Sequence, residues 1–234
     1  SYRISQVRRA PVATTKEMDL TRDHIPGLIL KIAVPASTGF FFNTMFNVVD
    51  TYYAGQLSTD SLAALSLSFP LFMIMLAIGI GVGSGTNALI SNALGANRPE
   101  DAAVYQAQAI SFGLIGTAIV AIPLYFLLEP IFGLFDAEGA VLRGALRYMR
   151  VIVAGGVVMV LTNTLNAGLQ ARGNTKTFRN FLLLGFLLNI GLDPLFMFGF
   201  QIGGVTIMPA LEEAGVAVAT ILVQALGILM VGRV

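Results

Sequence analysis

The chain has 234 residues, of which 56% are hydrophobic and 12% are charged, about half the charged fraction of a soluble domain. The net charge of +1 gives no reason to expect a nucleic-acid partner. Because there is no cysteine and the only histidine is His24, thiolate sites, haem, zinc and a histidine-based triad would lack ligands or a base. The composition therefore predicts a polytopic membrane protein and no enzyme.

In chain order, a polar and basic arm comes first and apolar segments follow. The arm, residues 1–24, has no apolar core of the kind found in a signal peptide. Six later segments are each long enough for a membrane-spanning helix, which needs about 20 apolar residues. They cover residues 26–50, 61–90, 105–129, 141–169, 178–200 and 212–232. The predicted fold is an all-α membrane protein, with a cytoplasmic arm (1–24) and six transmembrane helices (25–234).

Basic residues set the predicted orientation. Ten Lys and Arg fall on the arm and on the second and fourth loops, against three in the third loop. By the positive-inside rule, the N-terminus and the even-numbered loops lie in the cytoplasm, which predicts a multi-pass protein of the cytoplasmic membrane. The three exceptions, Arg143, Arg147 and Arg150, share a helix face and are expected to be offset by Asp136 and Glu138.

Two carboxylates interrupt stretches that otherwise read as spanning helix. Asp50 closes the first segment and Asp193 lies within the fifth. A carboxylate at the centre of a membrane helix costs at least about 2.5–3.5 kcal/mol, so such residues usually face a cavity and mark ion or substrate pathways. Pro194 frees a backbone carbonyl beside Asp193. Asp50 also fits a second interpretation, an interfacial aspartate that ends a helix, but the pair makes transport the leading hypothesis.

Other polar residues are predicted to join these carboxylates. With a rise of about 1.5 Å per residue, Asp50, Tyr148, Asp193 and Thr220 fall at one level in the outer half of the membrane. Asn189 lies one helical turn below Asp193 on the same face. The sequence therefore predicts one polar cluster, with Asp50, Asn189, Asp193 and Thr220 as a cation or proton site.

Further residues have both a functional and a purely structural interpretation. Tyr148, Asn163 and Asn166 are predicted to line a substrate cavity, the two asparagines in a lower part of the fourth span, although membrane helices also use amides to bind one another. Pro35 is either a hinge in the first span or a static kink. Gly81 and Gly85 form a GxxxG pattern that predicts close helix packing.

Four segments resemble the multidrug and toxic compound extrusion (MATE) family of cation-coupled antiporters. They are KIAVPASTGFFFNTMFNVVDTYYAGQL, GIGVGSGTNALISNALGANRPEDA, NTLNAGLQARGNTK and LNIGLDPLF. The combination of VVDTYYAGQL with LDPLF is the most specific of these. The sequence looks closest to the prokaryotic branch named after the DNA-damage-inducible protein F.

The resemblance implies a transporter of twelve helices in two lobes, of which this chain is the N-terminal lobe, either as a fragment or as a natural half-transporter. It implies that Asp50 and Asp193 are the family's acidic residues, that Asn189, Thr220 and Tyr148 are their polar neighbours, and that Pro35 is the hinge. Asn163 and Asn166 match the amides associated with the cavity. Membrane lipid, small organic cations and the C-terminal lobe, absent from this chain, are the implied partners.

The expected mechanism is export of organic cations or drugs in exchange for a proton or a sodium ion, with no other cofactor. Two carboxylates in one dry site cannot both stay ionised, so either ion neutralises the site. Sodium would take oxygen ligands from Asp50, Asn189, Asp193 and Thr220. Drug and coupling ion would then compete for the same charge, with a bend at Pro35.

Three alternatives stay open. The first is a flippase for a lipid or polysaccharide carrier from the same wider superfamily, although basic residues at the span ends weakly favour a cationic cargo. The second is an intramembrane aspartyl protease, for which the sequence shows no GxGD-like context. The third is a structural or channel-like subunit, which predicts no dependence on protons or sodium.

Overall fold

The structure is a computed structural model that describes residues 25–203 and 205–232. It contains six long helices and a two-stranded antiparallel hairpin between the last two. The elements are α1 (Ile25–Leu57), α2 (Thr59–Gly95), α3 (Pro99–Leu134), α4 (Gly139–Ala171), α5 (Lys176–Phe198), β1 (Phe200–Ile202), β2 (Val205–Met208) and α6 (Glu213–Val231). The predicted cytoplasmic arm, residues 1–24, lies outside the described residues.

The helix ends follow local capping signals, which hydropathy alone does not show. The side chain of Ser58 accepts a hydrogen bond from the backbone N–H of Ser61 at 2.9 Å and so caps the start of α2. Pro99 begins α3, where its missing N–H costs nothing. The 37 residues of α2 span about 55 Å, more than the roughly 30 Å hydrocarbon core requires. α1 to α4 therefore extend beyond the apolar segments predicted from the sequence, whereas α5 ends two residues before its segment does and α6 lies within its segment.

Five of the helices, α2 to α6, are long and apolar enough to cross a membrane. Several residues in the first half of α1 lie outside the described part of the structure, and its C-terminal half carries Asn43, Asn47 and Asp50. The prediction of a multi-pass, all-α architecture is confirmed. The crossing of the membrane by α1 stays a prediction.

The helices are arranged around α4, which packs against α2, α3 and α6. α1 packs chiefly against α5, and α5 also packs against α6. On α3, the large apolar side chains of Phe112, Ile119 and Phe126 are 69%, 67% and 76% exposed. An apolar surface of this kind is expected where a helix faces hydrocarbon instead of water.

The close contact between α2 and α4 does not use the glycines that the GxxxG pattern indicates. A Cβ added at Gly81 or Gly85 would meet nothing within 4 Å. A Cβ added at Gly79 would lie 3.1 Å from the side-chain nitrogen of Asn163, and one at Gly83 would lie 3.5 Å from its backbone oxygen. The predicted pair of glycines was therefore wrong by two residues, because the helix face turned toward α4 is that of Gly79 and Gly83.

The hairpin between α5 and α6 is a feature that the sequence analysis did not predict. Phe200 pairs with Met208, and Ile202 pairs with Val205. Gly199 precedes the first strand with a φ of 72°, and a Cβ there would lie 2.6 Å from the backbone oxygen of Met208. A glycine is required at this turn for both reasons.

Candidate cation site and the cavities beside it

The centre of the candidate site is an asparagine that bridges two carboxylates. The side-chain nitrogen of Asn189 donates a hydrogen bond to Oδ1 of Asp50 on α1 and another to Oδ2 of Asp193, at 2.9 Å, on its own helix. Asn189 and Asp193 are fully buried, and Asp50 is 9% exposed. The structure thus brings the two carboxylates together, as the helix spacing predicts.

The local sequence of α5 explains this geometry. Asn189 and Asp193 are four residues apart, so their side chains lie one above the other on a single helix face. α1 packs against that helix and supplies the second carboxylate through Asp50. The bridge therefore joins α1 and α5 at one point, and both helices are needed to form it.

Several buried oxygen atoms of the predicted site residues have no hydrogen-bond partner in the described part of the structure. They include Oδ1 of Asp193 and Oδ1 of Asn189, which are buried and unpaired among the described residues. Oγ1 of Thr220 on α6 is also buried and unpaired, so no hydrogen bond links it to the bridge. Buried polar atoms are rarely left unpaired. Carboxylate, amide and hydroxyl oxygens are the ligands that a hard cation such as sodium accepts, so these residues fit such an ion.

No cluster of three or more His, Cys, Asp and Glu able to hold a metal occurs in the described ranges. The donors present near the bridge are two carboxylates and neutral oxygens.

Tyr148 lies beside Asp50, on the wall of a cavity of about 330 Å³. The tyrosine is 8% exposed, and the same cavity is lined by Asn47, Phe69 and Phe72. Asp50 is thus both a member of the bridge and part of the wall of this cavity. We refer to this space as the acidic cavity.

Asn163 and Asn166 line a different cavity, of about 300 Å³, which we call the amide cavity. No residue on its described walls carries a charge. Its polar walls are carboxamides and hydroxyls, from Asn43, Ser84, Asn87, Thr162, Asn163, Asn166, Gln170 and Gln224. Tyr148 lines the acidic cavity instead, about 22 Å from Asn163 along α4. That all three residues line one substrate space of the transporter stays a prediction.

Pro35 falls within α1, which runs as one helix from Ile25 to Leu57. Its side chain is outside the described part of the structure, so the hinge stays a prediction.

A second polar group, not predicted from the sequence, lies at the start of α6. Glu213 is 6% exposed, and its Oε1 accepts a hydrogen bond from the hydroxyl of Ser61 on α2 at 2.6 Å. Arg147 on α4 contacts Glu212 and lies 3.8 Å from Oε2 of Glu213. The sequence predicts that Asp136 and Glu138 offset the charge of Arg147. In the structure its acidic partners are instead Glu212 and Glu213, at the start of α6. In the sequence, the two adjacent acids of MPALEEAG are the pattern from which this polar group could have been predicted.

Comparison with known proteins agrees with this architecture. A sequence model of the MatE family matches residues 35–195, more than half of the chain. The chain belongs to the MatE family. The resemblance to MATE transporters is therefore confirmed.

The relatives of this MatE chain are named as transporters or as multidrug resistance proteins. A protein named FAD transporter from Shewanella oneidensis is 29% identical over 194 residues, which are 83% of this chain and 42% of the relative. A probable multidrug resistance protein NorM from Thermotoga maritima is 27% identical over 212 residues, 89% of this chain and 44% of the relative. A solved structure of a MOP superfamily transporter from Pyrococcus furiosus matches with a TM-score of 0.82 and 29% identity, covering 94% of this chain and 47% of that one. The chain spans less than half the length of each of these proteins.

Proposed function

We propose that this chain forms one six-helix lobe of a cation-coupled antiporter that exports organic cations or drugs across the cytoplasmic membrane. The observation that carries the proposal is the Asn189 bridge between two buried carboxylates. Membership of the MatE family and relatives named as multidrug resistance proteins support it. The N-terminus is proposed to lie in the cytoplasm, with α1 as the sixth spanning helix and a second lobe completing the transporter.

The first step is the charge of the bridged pair. One amide donor is shared by two acids, and no basic side chain hydrogen-bonds to either of them among the described residues. Buried carboxylates without a counter-charge are strongly unfavourable. The pair therefore has a high affinity for one positive charge, which a proton or a sodium ion can supply.

The second step is competition at Asp50. Its carboxylate accepts from Asn189 and also lines the acidic cavity with Tyr148. An organic cation in that cavity and a coupling ion at the bridge are both stabilised by this one carboxylate. Each lowers the affinity for the other by the same factor, because such a coupling is reciprocal. Ion entry on one side of the membrane then releases drug, which is the requirement for antiport.

The third step is movement of α1. Pro35 and Asp50 lie on the same helix, fifteen residues or about 22 Å apart. Proline removes a backbone hydrogen bond and makes a weak point in a helix. A change of charge at Asp50 is proposed to swing the outer part of α1 about Pro35, and so to close the acidic cavity.

The proposal is tested by efflux of a fluorescent organic cation from proteoliposomes that contain the full-length protein. Under an imposed sodium or proton gradient, Asp50→Asn and Asp193→Asn are expected to reduce efflux at least tenfold. Asp136→Asn is the matched control, because Asp136 is exposed and its φ of 53° suits asparagine as well as aspartate. Efflux that is equal in all three variants would refute a carboxylate-dependent mechanism.

A second candidate cargo is suggested by the amide cavity. Its uncharged carboxamide walls, with Phe40, Phe178 and Phe181 beside them, suit a planar heterocycle that stacks and forms hydrogen bonds. The similarity to a protein named FAD transporter points to a flavin. Flavin efflux that is lost in Asn166→Leu and retained in Asp193→Asn would favour this cargo over an organic cation.

A further inference from the structure

The fifth helix contains a backbone carbonyl that proline leaves without its helical donor. In an α-helix, the N–H of a residue donates to the carbonyl four residues earlier. Pro194 lies inside α5 and has no N–H, so it cannot donate to the carbonyl of Ile190. At membrane depth an unpaired carbonyl is costly, and it must find a partner from another element.

That partner is Tyr53 on α1. Its hydroxyl donates a hydrogen bond to the carbonyl oxygen of Ile190 at 3.1 Å. The tyrosine is partly buried, and its ring packs edge-on against Tyr52, with 5.3 Å between ring centroids. The phenol thus replaces the backbone donor that Pro194 lacks.

This hydrogen bond lies next to the carboxylate bridge on both helices. Tyr53 is one turn beyond Asp50 on α1, and Ile190 directly follows Asn189 on α5. One bond runs from the Asn189 amide to α1, and the other runs from the Tyr53 hydroxyl to α5. A single hydrogen bond lets two helices pivot about it, whereas a second bond, anchored three residues or about 4.5 Å further along α1, resists that rotation.

We propose that Tyr53 is a positioning residue for the carboxylate pair. By binding the carbonyl that Pro194 frees, it holds α1 on α5 so that the Asn189 amide reaches both Asp50 and Asp193. The consequence for transport rests on the proposed function, whereas the consequence for helix geometry stands without it. Pro194 then has a purpose beyond bending α5, since it provides the acceptor for α1.

The first test measures geometry and needs no ion. Spin labels on cysteines introduced at the exposed Gln56 and Phe198 report the distance between the outer ends of α1 and α5 in the full-length protein. Tyr53→Phe is expected to broaden the distance distribution. Tyr52→Phe, the matched control, is expected to leave it unchanged. A distribution that is identical in wild type and Tyr53→Phe would overturn the proposal.

The second test asks whether Tyr53 acts through the freed carbonyl. Pro194→Ala restores an N–H that can bind Ile190, so the phenol becomes redundant. In the wild-type background, Tyr53→Phe is expected to shift the sodium or proton concentration for half-maximal efflux about threefold, the usual worth of an interhelical hydrogen bond in a membrane. In the Pro194→Ala background the same substitution is expected to cause no shift.

The outcomes separate this proposal from the proposed function. An equal shift in both backgrounds would show that Tyr53 does not act through Ile190, and would refute the positioning role. If wild-type efflux responds to neither ion, cation coupling fails. The spin-label distances then decide the role of Tyr53 by themselves.

Discussion

Replacing Asn189 by leucine should destabilise the protein far more than the same change at another asparagine of the lobe. The side chain is fully buried, and its amide donates to both carboxylates. A hydrogen bond to a charged group contributes about 1.5–3 kcal/mol. Asn189→Leu loses two such hydrogen bonds. Because both come from one nitrogen, we take about 1.5 kcal/mol for each, so the free energy of unfolding should fall by about 3 kcal/mol.

The matched control is Asn163→Leu. Asn163 also lies in a spanning helix, but its amide donates to the backbone oxygen of Met159, at 3.0 Å, and to no carboxylate. Its replacement should cost less than about 1 kcal/mol, as expected for a neutral hydrogen bond in a membrane protein.

The assay is unfolding by SDS in mixed micelles, with and without saturating coupling ion. A bound proton neutralises a carboxylate, so the lost amide bonds matter less when it is present, whereas a bound sodium ion would use Oδ1 of Asn189 as a ligand and lose it in the variant. The deficit of Asn189→Leu should therefore shrink from about 3 to about 1 kcal/mol if the saturating ion is a proton, and grow if it is sodium. Equal costs for Asn189→Leu and Asn163→Leu, or a deficit that does not depend on the ion, would refute the reasoning.

Three further predictions concern motion, orientation and the outer polar group. Pro35→Ala should stiffen α1 and slow efflux at least threefold, with drug affinity unchanged in equilibrium binding. Unchanged efflux at equal expression would show that Pro35 is a static kink and not a hinge. Cysteines introduced at the exposed Glu138 and Ala96 should react with membrane-impermeant reagents from outside and from inside respectively. The opposite labelling pattern would show that the N-terminus lies outside the cytoplasm. Ser61→Ala removes a donor to buried Glu213 and should lower the free energy of unfolding by about 1.5–3 kcal/mol in SDS titration, whereas no change would show that the carboxylate is otherwise compensated.

The helices could be predicted from the sequence because long apolar runs leave few alternatives in a membrane. Their ends could not, since capping by Ser58 and the start at Pro99 extend α2 and α3 past the hydrocarbon. The hairpin from Phe200 to Met208 was missed because a short apolar strand has no periodicity to distinguish it from the end of a helix.

The bridge could be predicted because Asn189 and Asp193 are four residues apart and a depth count puts Asp50 near their level. Thr220 is buried but forms no side-chain hydrogen bond to the bridge in the described structure, because depth alone does not determine which side chains share a hydrogen bond. Its part in the cation site stays a prediction. The role of Tyr53 could not be derived, because its acceptor is a backbone atom. Pro194 indicates that a carbonyl is free without indicating which helix supplies the donor.

The central claim is that one carboxylate pair serves both coupling ion and cargo. Its most direct test is equilibrium binding of a labelled organic cation to the purified full-length protein, with increasing sodium at fixed pH and with decreasing pH at fixed sodium. The account predicts that one of the two ions weakens drug binding in proportion to its concentration, and that Asp193→Asn removes this dependence. Drug affinity that is independent of both ions in the wild-type protein would contradict it.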